Sequence, residues 1–202
     1  MTLVDLIRYA RVHRGAAVLA GAVVVALLSA FFGGTRIPIP SFGSGDVTMG
    51  IPYRQELPLL SAVFLTAALD GPMAAHEALG TRAMHRLRAV YCTVLTLTVC
   101  AFSFTAETYA VGTGAGIVFV RSVLVWLGLA LLSRRVLGHQ LAWALPLASA
   151  LLLIWYPLTW WDWTATPTHD TPAWTAAGVS VVIGSAATAA TPWRRKALRR
   201  SR

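Results

Sequence analysis

Charge is scarce in this chain. Only 12% of its 202 residues are Asp, Glu, Lys or Arg, against about 25% in ordinary soluble domains. Lysine is almost missing, with Lys196 alone beside sixteen arginines, and there are eight acids. A chain this poor in charge is not disordered, collagen-like or a coiled coil, and an ordinary soluble enzyme is excluded on the same ground. Chemical motifs are missing too. Gly112–Gly116 is glycine-rich, but no Lys follows at the spacing a phosphate-binding loop needs. His76-Glu77 opens like a zinc-protease motif, but Gly80 stands where the second His belongs. No G-x-S-x-G elbow occurs. Catalytic, metal and cofactor-binding residues are therefore expected to be absent, and the chain is not read as an enzyme.

What the chain has instead is apolar length: 56% of residues are hydrophobic and the mean hydropathy is +0.64. Since a bilayer crossing takes about 20 residues, 202 residues allow six with short connections. The sequence predicts a single all-α transmembrane domain with spans at about 16–33, 56–72, 87–104, 114–132, 141–156 and 174–190. The first of these, from Ala16 to Gly33, is uncharged, and it is too long for a signal-peptide core. Residues 1–15 precede it as an amphipathic interfacial helix, with Leu3, Leu6, Ile7 and Ala10 on one stripe and Arg8, Arg11 and Arg14 mostly off it. Gly34–Gln55, rich in Gly, Pro and Ser, reads as an external loop.

The position of the arginines tests this layout. With the N-terminus in the cytoplasm, fourteen of the seventeen cations fall in cytoplasmic segments, including Arg134, Arg135 and the basic tail 191–202. Arg36 and Arg54 fall outside, and Arg121 lies within a span. That distribution obeys the positive-inside rule with both termini cytoplasmic. The net charge of +9 therefore marks a membrane face and not a nucleic-acid partner. Trp160, Trp161, Trp163 and Trp174 suit the outer interface, and Trp193 the inner one. Cys92 and Cys100, eight helical residues and so about 12 Å apart, are too distant for a disulfide and read as packing residues. Arginine and alanine enrichment points to a GC-rich bacterial genome and a plasma-membrane location.

Two places hold polar residues that a plain span or turn does not need. Between spans 2 and 3, Asp70 is placed to cap a short helix Pro72–Leu79 ended by Gly80, with Arg82, Arg86 and Arg88 following. Arg121 lies about 10 Å below the outer end of span 4. There it costs about 2.5–3.5 kcal/mol on insertion scales. Glu56 and Glu107, at the same membrane side, are candidate partners, and two readings stay open: a structural role as a buried ion pair or by snorkelling, or an external-half cavity for an anionic or peptide substrate.

An interfacial first helix, six spans, cytoplasmic termini and the GPMAAHEALG helix between spans 2 and 3 together resemble the permease subunits of type-2 ABC exporters, the compact actinobacterial kind in particular. The resemblance covers the whole chain as a pattern of segments. It implies that the short cytoplasmic helix docks on a separate ATPase subunit, with Pro72, His76, Glu77 and Arg82 as coupling residues. It further implies pairing with itself or a similar permease, contact with membrane lipids, and ATP hydrolysis on the partner chain. The alternatives are a non-transport membrane protein (an anchor, immunity or assembly factor) and a lipid-modifying enzyme built on Asp70, His76, Glu77 and His85.

Overall fold

The computed structural model describes residues 3–39, 49–69, 82–155 and 161–189. These form seven helices and one two-stranded ribbon: α1 (Leu3–Val12), α2 (Gly15–Phe32), β1 (Arg36–Ile39), β2 (Met49–Pro52), α3 (Tyr53–Ala67), α4 (Arg82–Ala110), α5 (Thr113–Leu137), α6 (Ala144–Trp155) and α7 (Thr171–Ala189). A single 3₁₀ turn, His139–Leu141, joins α5 to α6. Three helices are long and apolar enough to cross a membrane: Gly15–Phe32, Ala83–Ala110 and Thr113–Leu137. Their outward faces support that location. Phe31 is 78% exposed, Leu97 63% and Val182, on α7, 66%, a display that water would penalise and lipid would not.

The bundle is organised around α5, which packs against α3, α4, α6 and α7. It contributes Phe119, Val123, Trp126, Leu127 and Leu131 to the core, and Trp126 is wholly buried. The closest approach is to α7. A methyl group placed on Gly128 would lie 2.3 Å from the Ser180 carbonyl carbon, and one on Gly184 would lie 2.5 Å from the Gly128 carbonyl oxygen. Only glycine permits backbones this near, the small-residue packing expected where lipid offers no hydrophobic drive.

Several boundaries differ from those the sequence predicts. The segment read as a loop contains an antiparallel ribbon, Arg36 opposite Pro52 and Ile39 opposite Met49, and α3 begins at Tyr53, three residues before Glu56. Helix α4 runs 29 residues, about 43 Å at 1.5 Å per residue, and so overshoots a hydrocarbon core of about 30 Å. Glu107, expected beyond the third span, therefore lies inside α4. At 12 residues, α6 is about 18 Å long, shorter than a hydrocarbon core of about 30 Å. Along α1 and just past its end the inward stripe is Tyr9 and His13, both buried, with Leu6 and Ala10 half-buried beside them, while Ile7 is 48% exposed. The apolar count misphased it because the inward anchors are aromatic: Tyr9 stacks on His13 at 4.0 Å and meets Tyr91 of α4 edge-on at 5.2 Å. Arg14, at φ 54°, turns the chain from α1 into α2.

Candidate functional site

Polar contacts gather at both ends of the bundle. At one end α1 meets the N-terminal part of α4 through Tyr9 and Tyr91. There the Arg134 guanidinium donates to the Leu69 carbonyl at 3.2 Å, a cation at the C-terminal end of α3, where the exposed carbonyls carry negative potential. Ser133 Oγ donates to the Leu141 carbonyl at 2.6 Å and accepts from the Leu145 amide at 3.3 Å, fixing the turn into α6. Pro72, His76 and Glu77 lie outside the described residues. Arg82 opens α4.

The other end collects the C-terminus of α2, the N-terminus of α3, the last turns of α4, the first turns of α5 and the segment 161–170. Its first feature is an ion pair that joins three helices. Arg54 Nε donates to Glu107 Oε2 at 2.7 Å, and Arg54 Nη2 reaches the Ser29 carbonyl at 3.4 Å. Glu107 is wholly buried, while the Arg54 side chain keeps 22% of its surface. Gly33 is what lets Arg54 lie across the end of α2, since a methyl there would come within 3.1 Å of Nη2. Sequence reasoning missed this pair because its members are 53 positions apart.

Arg121 is the second feature. It is fully buried and donates to the carbonyls of Pro167 (2.8 Å), Trp163 (2.7 Å) and Thr166 (2.8 Å), and to Thr166 Oγ1 (3.0 Å). Neither expected partner holds it: Glu107 is taken by Arg54, and Glu56 is half-buried in the first turn of α3. The guanidinium instead donates through both Nη groups to backbone oxygens, its Nε making no bond among the described residues, with Asp170 and Asp162 of the same segment supplying counter-charge at longer range. Those two acids also shape the segment. Asp162 Oδ1 accepts from the Thr164 amide, the Thr164 hydroxyl and the Ala165 amide at 2.6–3.2 Å. Asp170 Oδ2 accepts from the Ala173 amide at 3.1 Å, capping α7. Trp163 stands edge-on to Trp126 at 6.4 Å, so it packs inward, while Trp161 is 45% exposed.

Between these features lies a cavity of about 380 Å³. Arg54 and Gln55 form one wall, the α5 face of Gly114, Val118 and Ser122 another, and Thr164–Thr168 the third. Arg121 lies behind that third wall and is not among the lining residues. Among the described residues no group of three or more His, Cys, Asp or Glu is arranged to hold a metal ion. Neither Cys92 nor Cys100 is in a disulfide, and both pack against the core. Comparison with protein-family profiles, curated proteins and solved structures finds no match to this chain.

Proposed function

We propose that this chain is a six-span permease subunit of an ABC-type exporter in the plasma membrane, paired with itself or a similar permease and driven by a separate ATPase. In this reading α2 to α7 are the spans, α1 is the interfacial helix and both termini are cytoplasmic. The observation that carries it is the segregation of charge between the two ends of a helical bundle. Arg8, Arg11 and Arg14 adjoin α1, Arg86 and Arg88 lie at the start of α4, and Arg134 and Arg135 at the end of α5. The opposite end carries Arg54 beside Glu107, and Arg121 beside Asp162 and Asp170. An end rich in arginines and poor in carboxylates matches the cytoplasmic leaflet, and an end where arginines lie beside carboxylates matches the outer one.

Two further points support the reading. The overshoot of α4 gives the chain a cationic helical projection in the direction from which an ATPase would approach. The segment 70–81, for which the sequence predicts the short Pro72–Leu79 helix, leads directly into it. No covalent chemistry is asked of this chain; its work is alternating access, with ATP consumed elsewhere. The test is co-purification with a stand-alone ATPase encoded beside it. Wild type retains the ATPase, and Glu77→Ala and Glu77→Arg lose it while remaining monodisperse in the membrane fraction. Full ATPase recovery by both variants removes the docking contact.

A further inference from the structure

The cavity beside Arg54 is built unevenly. One cation lines it, and no carboxylate does among the described residues. Arg54 spends its Nε on Glu107 and one Nη on the Ser29 carbonyl. A guanidinium has five N–H donors in a rigid fork, so Nη1 is left without an acceptor among the described residues. Ser122 is 1% exposed, lines the same cavity and has no hydrogen-bond partner among the described residues. Gln55 adds an amide. The wall from α5 begins in its first turn, where the Ala115 and Gly116 amides donate to the Gly112 carbonyl, and runs on to Ser122. Val118, Phe119 and Pro167 make the rest of the lining apolar.

We propose that this cavity binds a small amphiphile through its anionic oxygen group, which Arg54, Gln55 and Ser122 hold while the tail lies against Val118 and Phe119. Donors without acceptors call for an oxyanion, and an apolar remainder of this size has room for more than the oxyanion itself. The proposal does not depend on ATPase docking, so each can fail alone.

The test uses full-length protein in dodecyl maltoside, with decyl phosphate, inorganic phosphate and decyl maltoside as probes in calorimetric titration and thermal unfolding. Decyl phosphate binds saturably and raises the melting temperature, and decyl maltoside does neither. Arg54→Lys keeps the charge for Glu107 but loses the fork, and weakens decyl phosphate about tenfold. Ser122→Ala removes the hydroxyl without adding bulk, keeps the unliganded melting temperature, and also weakens binding about tenfold. Inorganic phosphate binding as tightly as decyl phosphate supports the oxyanion donors and identifies a free anion as the ligand. Absence of saturable binding, equal stabilisation by decyl maltoside, or unaltered affinity in both variants overturns the proposal.

Discussion

Replacing Arg121 with Leu removes the only side chain that ties α5 to the carbonyls of Trp163, Thr166 and Pro167 among the described residues. Hydrogen bonds from a charged donor contribute about 1.5–3 kcal/mol each, so three such carbonyl bonds amount to roughly 5–9 kcal/mol before compensation. Leucine returns part of this. It spares the cost of a guanidinium within a span, about 2.5–3.5 kcal/mol, and the freed carbonyls can recruit water at the membrane edge. The net loss expected is about 2–5 kcal/mol, in the range found when one partner of a buried charged contact is removed. For a chain of this size that lowers the melting temperature by about 5–15 °C. The loosened segment 161–170 should also become the first site of proteolytic cleavage. Thermal unfolding in dodecyl maltoside and timed proteolysis read both effects without any transport assay. Arg121→Lys should fall between, since a single ammonium cannot serve carbonyls on both sides of the fork. A leucine variant that melts within a degree of wild type, its 161–170 segment equally resistant, refutes the pinning role.

Three other outcomes follow from the packing. Gly128→Ala and Gly184→Ala drive a methyl into backbone and should each cost about 1–3 kcal/mol or more. Gly178→Ala meets nothing within 4 Å and should be neutral or slightly stabilising; equal melting of all three contradicts the α5–α7 contact. Glu107→Leu should destabilise by about 1–3 kcal/mol, discounted because Arg54 is partly exposed. Adding Arg54→Met should recover part of that loss, and strictly additive losses contradict the pairing. Trp126→Phe gives up the Nε1 bond to Ser149 Oγ at 3.1 Å, which should cost about 1 kcal/mol. Trp126→Phe in a Ser149→Ala background should cost measurably less.

The readable parts of the sequence were those where composition alone decides. An uncharged run from Ala16 to Gly33 has one stable form in lipid, and α2 follows it to within a residue at either end. Helix α4 was truncated in the sequence reading because Glu107 looks like the end of a span. Its tolerance inside the helix comes from Arg54, and nothing local announces a partner that far away. The ribbon was missed because its pairing runs through Pro38 and Gly50, residues that ordinarily argue against strands. Arg121 was recognised as exceptional but given the wrong kind of partner. Carbonyl acceptors belong to every residue and leave no mark in a sequence. The phase of α1 failed for a related reason: Tyr9 and His13 anchor by stacking, which an apolar stripe does not count.

Sided labelling tests most directly whether the helices α5, α6 and α7 alternate across a bilayer. With Cys92 and Cys100 replaced by Ala, single cysteines are placed at His139, at the end of α5, and at His169, before α7; both positions are exposed. The six-span reading predicts that a membrane-impermeant maleimide labels the His169 position in intact cells and the His139 position only after lysis. Labelling of both from the same side of intact cells would contradict it, since the short α6 would then not carry the chain across.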